Sequence, residues 1–299
     1  MQKVGDAGAL AWSSYWASGQ QDSFFRRGKP LETSVYWTPF FDMVPEKARL
    51  IDLGCGAGAL TRLAVAHPRS FSVVGADYAA SLPDVPGARL DPGVRMEALP
   101  YEAGSFDVAV SQFGIEYSDM AQSLSEVARV LVRGGWCAFL IHAREGAAVA
   151  AAQAKAVALA KLLEEDGLVR AVELYGAALR QAKTAPPSPE PVAAVFRRTA
   201  PVATDEASAW AVQFLSEVMR NALRFEPAYV INNAGIVRNE LSGQLQRLEL
   251  MIAAARSETR MQELVAQSNT VGLEQAQIKP VVDIGGDHIA WWFRGVRGA

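Results

Sequence analysis

Residues 49–64 read RLIDLGCGAGALTRLA, and this stretch decides the fold class of the chain. A short apolar run ends near Asp52, glycines then occupy every second position at Gly54, Gly56 and Gly58, and a helical pattern follows. This order predicts a buried strand, a glycine loop and a helix. Glycine adopts backbone angles closed to other residues and lets a ligand approach the main chain. The loop is therefore a candidate small-molecule site.

Several ligands use a strand–glycine loop–helix unit, and the loop excludes one of them. No Lys-Ser or Lys-Thr pair follows the glycines, so the loop is not a phosphate-binding P-loop. Asp77 ends the next predicted strand, where a carboxylate can accept hydrogen bonds from both ribose hydroxyls. That feature suits NAD and S-adenosylmethionine equally, so loop and acid together leave both ligands open.

Strands and helices alternate over residues 49–142, which predicts a parallel sheet covered by helices on both faces. The segment 81–93 is rich in proline and glycine and leaves room for only a very short helix after the second strand. The predicted strands read ARLIDL, FSVVGAD, VRME, FDVAVSQF and GWCAFLIH, of which VRME is the weakest, and the helices ALTRLAVAH and MAQSLSEVARVLV.

The pattern changes after the fifth strand. Residues 146–242 are mainly helical, and we expect them to form a cap over the carboxyl ends of the strands, where open α/β sheets bind ligands. The stretch 243–272 reads as one long helix, and LEQAQIKPVV and HIAWWFRGVR read as a C-terminal hairpin. We assign 1–44 to an N-terminal helical lid, 45–145 with 243–299 to the sheet domain and 146–242 to the helical cap and substrate region.

The amino-acid composition restricts the classes of function that the chain can have. Half of the 299 residues are apolar, and the net charge of −3 argues against a protein that binds nucleic-acid phosphates. The two cysteines give neither a disulfide framework nor a metal-ligand spacing, which fits the reducing cytoplasm. The N-terminus lacks a signal-peptide pattern, and the most apolar window, GAAVAAAQAKAVALAKLL, is too rich in alanine and lysine to span a bilayer.

Four sequence blocks follow one another in a fixed order: Asp52–Gly58, Asp77, Leu99-Pro100-Tyr101 with Ser105-Phe106-Asp107, and Glu126 through Gly135. With these blocks the sequence resembles the class I S-adenosylmethionine-dependent methyltransferases. The resemblance is nearest to the group that includes the ubiquinone/menaquinone C-methyltransferases and many small-molecule methyltransferases. It covers roughly residues 45–142 and 245–297 and implies a Rossmann-like, mostly parallel sheet with an antiparallel C-terminal strand, a helical cap inserted after strand five, and S-adenosyl-L-methionine as the cofactor.

The resemblance also implies how the cofactor is held, with Gly54 and Gly56 along its methionine part and Asp77 on its ribose. The family usually has an acid and a small residue where this chain has Arg95-Met96, and an arginine cannot accept a hydrogen bond from the adenine amino group. Either Glu97 replaces that acid, or the backbone amide of Met96 makes the contact. The full set of expected cofactor residues is Asp52, Gly54, Cys55, Gly56, Asp77, Tyr78, Met96, Glu97, Gln112 and Tyr36.

The candidate catalytic residues are His142 and Tyr117, and no metal site is predicted. His142 ends the fifth predicted strand and suits a general base near neutral pH; the alternative is a residue of the site's rim. Tyr117 either orients the acceptor or packs as a lid. Tyr15, Trp16, Tyr36 and Trp37 precede the first strand, and aromatic faces attract a sulfonium cation; we assign this role to Tyr36.

We therefore predict methyl transfer to a small, partly apolar molecule, such as a natural-product or quinone-type intermediate, through an oxygen, carbon or nitrogen acceptor. The alternatives are an RNA or protein methyltransferase, and a non-catalytic binding protein with a methyltransferase fold, which the Arg95 departure favours. The expected partner is a small-molecule acceptor, with no nucleic acid and no membrane span. A homodimer is left open.

Overall fold

The computed structural model describes residues 32–283 and 285–299, together with 12–13, 15–16, 25–26 and 29–30. The chain divides into two compact units, Met1–Ala150 with Leu250–Ala299, and Ala151–Glu249. Each unit is described by itself. In the first unit, the short pair Phe25–Arg26 and Lys29–Pro30 is antiparallel.

The described part of the first unit contains one seven-stranded sheet. Its strands are β1 Arg49–Leu53, β2 Ser72–Asp77, β3 Ala88–Pro92, β4 Phe106–Gln112, β5 Leu131–His142, β6 Leu273–Val282 and β7 His288–Arg297. They lie in the order β3-β2-β1-β4-β5-β7-β6. Strands β1 to β5 pair in parallel, whereas β7 runs antiparallel to both of its neighbours, β5 and β6. The predicted fold class, a mostly parallel sheet with an antiparallel C-terminal strand, is therefore confirmed.

The helices that lie between and around these strands follow the predicted alternation closely. A 3₁₀ turn, Ile115–Tyr117, comes directly after β4. In chain order the helices are α1 Ser34–Phe41, α2 Ala59–Val65, α3 Met120–Val130, α4 Ala147–Leu163, α5 Leu168–Gln181, α6 Glu190–Thr199, α7 Glu206–Asn221, α8 Pro227–Ala254 and α9 Glu258–Thr270.

The third strand differs from the prediction. VRME is not a strand; the third strand is β3, which pairs with β2 from Val73↔Ala88 to Asp77↔Pro92. Because β3 lies at the edge of the sheet and is only partly buried, its sequence ARLDP lacks the apolar run of a central strand.

The prediction of one long helix over 243–272 is wrong, because the helical structure is interrupted around Arg256. Helix α8 ends at Ala254, and the Arg256 N–H donates to the carbonyl of His142 at 2.8 Å. Arg144 N–H in turn donates to the carbonyl of Arg256 at 3.0 Å. These bonds draw the chain out in extended form beside the end of β5. Ser257 then caps α9.

The sheet is buried on both faces. Along β5, Phe139 and Ile141 belong to the apolar cluster that includes α3, whereas Ala138 and Leu140 belong to the cluster that includes α1 and α2. Successive strand residues point to opposite faces, so this alternation requires apolar side chains at consecutive positions. This requirement explains the uninterrupted apolar run CAFLI, residues 137–141.

The second unit is helical and has its own core. Leu159, Val172, Leu215 and Val237 are fully buried there among helices α4 to α8. The segment DEASAWAVQFLSEVMRNAL contains α7, and the carboxylate of its N-cap Asp205 accepts the N–H groups of Ala207 and Ser208. Within the described residues of the whole chain, no helix is both long and apolar enough to cross a membrane.

Candidate active site

The glycine loop after β1 lies tightly against the end of β2. Gly54 and Gly56 adopt left-handed backbone angles, with φ of 69° and 51°. The N–H groups of Gly54 and Cys55 both donate to the Ala76 carbonyl, at 2.8 and 3.2 Å. A Cβ added to Gly54 would lie 3.0 Å from the Gly114 Cα. A side chain at this position would therefore be strained and crowded, and glycine keeps the loop backbone accessible.

Asp77, the last residue of β2, holds the same loop from its other side. One carboxylate oxygen accepts the Gly56 N–H at 2.8 Å and the other accepts the Ala79 N–H at 2.8 Å. Burial raises the pKa of Asp77, and these backbone hydrogen bonds oppose that rise. The Tyr78 backbone also hydrogen-bonds to Asp77. Because a carboxylate has about four lone-pair sites, Asp77 can still accept a hydrogen bond from a ligand.

Asp52 is almost completely buried beneath the loop. Its carboxylate accepts the Thr61 hydroxyl at 2.7 Å, which joins β1 to α2. Burial raises the pKa of Asp52 to about 7; the Thr61 bond opposes this rise and the charge of Asp77 adds to it. The carboxyl therefore changes charge near neutral pH.

These elements surround one cavity of about 300 Å³ at the carboxyl ends of the parallel strands. The expected cofactor residues that line it are Asp52, Gly54, Cys55, Gly56, Asp77, Tyr78, Met96, Glu97 and Gln112, and Tyr117 lines it as well. The structure thus brings together residues from the ends of β1, β2 and β4 and from the segment after β3.

Tyr36 lies outside this lining. Its phenol donates to the Val282 carbonyl at 2.8 Å and so ties α1 to the end of β6 rather than to the cavity. The neighbouring residue reaches the site indirectly, because the Trp37 indole N–H donates to the Gln112 side-chain oxygen at 2.7 Å. Trp37 therefore orients one residue of the lining.

Two tryptophans that the sequence interpretation did not assign as ligands line the cavity instead. A Cβ added to Gly56 would lie 2.6 Å from Trp16 Cζ2, so the indole packs directly on the glycine loop. Trp12 also lines the cavity and stacks on Trp16, with ring centroids 5.6 Å apart. Their spacing of four residues, which places both on one helix face, was the signal that could have found them.

His142 is buried behind the cavity wall. Its backbone N–H and its Nδ1 lie 3.0 and 2.8 Å from the same oxygen of Glu116. The rings of Phe113 and Tyr117, which line the cavity, pack against its imidazole at centroid distances of 4.3 and 6.4 Å. The side chain expected at the mouth of the site therefore lies one layer deeper.

Glu116 connects this buried pair to the segment between α8 and α9. The guanidinium of Arg256 donates to the Glu116 carbonyl at 3.0 Å, and burial lowers the pKa of Arg256 while the charge of Glu116 raises it. Within the described residues, Glu116 Oε2 has no hydrogen-bond partner. Because uncompensated buried charge is costly, the arrangement depends on the pairing with His142.

Tyr117 differs from His142 because its ring faces the cavity. Burial raises the pKa of Tyr117 well above its ordinary value, and the charge of Glu116 adds to the rise. The phenol is therefore neutral across the physiological pH range and can donate a hydrogen bond. Trp12 packs edge-on against its ring at a centroid distance of 5.8 Å.

Arg95, which replaces the family's usual acid, also lines the cavity. Its guanidinium lies 5.4 Å from the centre of the Tyr78 ring, and its Nε lies 3.8 Å from a Glu97 oxygen. The other oxygen of Glu97 accepts the Asp119 N–H at 3.0 Å. The positive charge is thus placed between a ring face and a carboxylate.

Part of the chain is similar in sequence to known proteins. Residues 51–139 match the family model of a methyltransferase domain. A 2-phytyl-1,4-naphtoquinone methyltransferase from Thermosynechococcus vestitus is 34% identical over 106 residues, which are 32% of this chain and 47% of that protein. The ubiquinone/menaquinone biosynthesis C-methyltransferase UbiE from Geotalea uraniireducens is 32% identical over 102 residues, 30% of this chain and 43% of that protein.

The chain spans a little under half the length of these two curated relatives. Among solved structures, an S-adenosylmethionine-dependent methyltransferase from Mesorhizobium loti is 29% identical, with a TM-score of 0.30 and coverage of 36% of this chain and 54% of that one.

Proposed function

We propose, on the premise that this chain carries a class I S-adenosylmethionine-dependent methyltransferase domain, that the protein transfers a methyl group from this cofactor to a small, partly apolar acceptor. The observation that carries the proposal is a cavity at the carboxyl ends of the strands, which is lined by the glycine loop, Asp77 and Gln112. Ligands of open α/β sheets bind at this edge.

The residues around the cavity fit the cofactor. Gly54 and Gly56 expose their backbone to it, and Asp77 retains acceptor capacity for a ribose hydroxyl. Four carboxyl side chains and one guanidinium occur among the described lining residues, a balance that favours a cationic ligand. Glu97 keeps acceptor capacity for the adenine amino group, and the Met96 amide remains the alternative.

When bound, S-adenosylmethionine would supply an activated methyl group on a sulfonium, and an electron pair of the acceptor atom would form the new bond as the carbon–sulfur bond breaks. Because the leaving group is already activated, the protein contributes mainly by positioning. Tyr117 is the candidate for orienting the acceptor, since its neutral phenol faces the cavity. His142, which lies behind Phe113 and Tyr117, supports that wall instead of contacting the acceptor.

A quinone-type acceptor is the substrate class that we favour. The names of both curated relatives refer to quinones, and the first of them names a naphthoquinone ring with an apolar phytyl side chain. An RNA substrate is disfavoured because the chain has a net charge of −3. A non-catalytic binding protein would not need a phenol facing a cavity that suits the cofactor.

The test has two stages. Calorimetric titration with S-adenosylmethionine should show saturable binding at one site. Methyl transfer from labelled cofactor should then be measured for reduced 1,4-naphthoquinones with an apolar side chain, with bulk tRNA and a protein extract as competing substrates. Binding without transfer to any of them would favour the non-catalytic alternative, and no binding would refute the methyltransferase proposal.

A further inference from the structure

We infer that Trp16 senses the positive charge of the cofactor, so that the site holds S-adenosylmethionine more tightly than the neutral product S-adenosylhomocysteine. This inference rests on the proposed function and adds to it a residue that separates substrate from product. Sequence alone places the attraction of the sulfonium cation on Tyr36, and we assign it instead to the indole of Trp16.

The first support is the position of the indole. Trp16 packs on the backbone of Gly56, which is the part of the loop that the methionine portion of the cofactor is expected to follow. A cation within about 6 Å of a tryptophan ring is attracted by the negative face of the ring, and tryptophan attracts it more strongly than tyrosine or phenylalanine. Tyr36 lacks this placement, because it lies outside the cavity lining.

The second support is that neighbouring side chains hold the ring in place. Trp12 stacks on Trp16 at an interplanar angle of 20°, and Tyr15 packs edge-on against it at a centroid distance of 4.9 Å. The hydroxyl of Ser13 accepts the Ala80 N–H at 3.2 Å, three residues beyond Asp77. The chain around Trp12 and Trp16 is therefore hydrogen-bonded to the loop that follows Asp77, the expected ribose acceptor.

The third support is the electrostatic setting. Glu32, Asp52, Asp77 and Glu97 contribute acidic groups to the lining, and Arg95 is the one basic group among its described residues. Arg95 lies beside Tyr78 and Glu97, whereas Gly56 packs against Trp16. A cation beside Gly56 would therefore lie next to the Trp16 indole in an acidic cavity.

Methyl transfer removes the charge that Trp16 would sense. The methyl carbon bonds to the acceptor, the carbon–sulfur bond breaks, and its electron pair stays on sulfur, which becomes a neutral thioether. The acceptor's proton leaves to solvent. The attraction between the ring and the cofactor is then lost, and the product dissociates more readily than the substrate.

The experiment compares Trp16→Phe and Trp16→Leu with the unaltered protein. Both replacements fill part of the indole volume, but only phenylalanine retains a ring face. Dissociation constants for S-adenosylmethionine and S-adenosylhomocysteine are measured by calorimetry, and circular dichroism confirms that each variant is folded. Trp16→Leu should reduce the preference for the charged form by about threefold to thirtyfold, and Trp16→Phe should reduce it less.

The possible outcomes separate the two proposals. Unchanged preference in folded Trp16→Leu, or equal weakening of both ligands, would show that Trp16 only packs on the loop and would overturn the inference while leaving the methyltransferase proposal intact. If the unaltered protein binds neither ligand, the methyltransferase proposal itself fails. If Trp16→Leu does not fold, Trp16→Met, which also lacks a ring face, takes its place in the same comparison, and an unchanged preference there overturns the inference.

Discussion

The carboxylate of Glu126 accepts the backbone N–H of Leu99 at 2.7 Å, although 27 residues separate them in sequence. Arg129, one turn later on α3, pairs with the same carboxylate and donates to the carbonyls of Leu99 and Tyr101 at 2.9 and 2.7 Å. Two blocks of the family resemblance, the Leu-Pro-Tyr segment and the Glu-x-x-Arg helix, are therefore joined by hydrogen bonds.

Replacing Glu126 with alanine should destabilise the first unit by about 2 kcal/mol, because Leu99 loses a charged acceptor and Arg129 loses its partner. Urea denaturation measures the change. Glu126→Gln is the matched control, since the amide retains an acceptor for Leu99 and should lose about half as much. Equal stability of the alanine variant and the unaltered protein would contradict the hydrogen-bonded link.

Asp77→Ala should weaken S-adenosylmethionine binding by about tenfold to a hundredfold, which corresponds to about 1.5–3 kcal/mol for loss of a charged hydrogen-bond partner. Calorimetry measures the affinity, and thermal melting without ligand shows how much of the loss reflects the missing bonds to Gly56 and Ala79. Asp84→Ala, an exposed acid seven residues further along the chain, is the control and should bind normally. Unchanged binding in Asp77→Ala would remove this residue from the site.

Asp52 should make the fold less stable as the pH rises from about 4 to 7. Its pKa is about 7 in the folded state and 3.8 ordinarily, so over this range the folded chain holds a proton that the unfolded chain has released. The free energy of unfolding then falls with rising pH, by about 1.4 kcal/mol per pH unit from this group at most.

Denaturation curves recorded at several pH values test the Asp52 prediction. Asp52→Asn should reduce the slope of stability against pH, because its amide cannot ionise and its oxygen still accepts from Thr61. Identical slopes in the two proteins would mean that Asp52 ionises at its ordinary pKa.

His142→Ala should destabilise the fold by about 3–5 kcal/mol, since it leaves the buried carboxylate of Glu116 without its ring partner. Adding Glu116→Gln to that variant should recover part of the loss, because the amide carries no charge. Cofactor affinity should change little, as His142 lies outside the cavity lining. A folded His142→Ala of normal stability, with turnover reduced a hundredfold or more, would instead restore the general-base role.

The central strands could be predicted from sequence because burial on both faces demands continuous apolar runs, as in CAFLI of β5. The edge strand β3 could not be predicted, since it carries an exposed Arg89 and a half-buried Asp91 and only its pairing with β2 defines it. The break at Arg256 was missed for a similar reason. Its backbone pairs with His142 from a distant part of the chain, a contact without a local sequence signal.

The candidate site was predictable where the chain places residues directly at strand ends, as with Gly54, Gly56 and Asp77. It was not predictable where a side chain's direction depends on tertiary packing. Tyr36 and Trp16 both precede β1, and only the folded chain shows that the first reaches β6 and the second reaches the glycine loop. His142 does not line the cavity as expected, because the rings of Phe113 and Tyr117 lie between its imidazole and the cavity.

The place of β7 between β5 and β6 has a consequence for biosynthesis. Strand β5 pairs with β7 from Trp136↔Val296 to His142↔Ala290, so a ribosome must translate about 150 more codons before that flank of β5 acquires its partner. Until then the nascent chain displays the bare backbone of an apolar strand, which invites intermolecular pairing. Premature stop codons between residues 143 and 287 should therefore yield aggregates or chaperone-bound fragments, even though every described residue that lines the cavity has already been made.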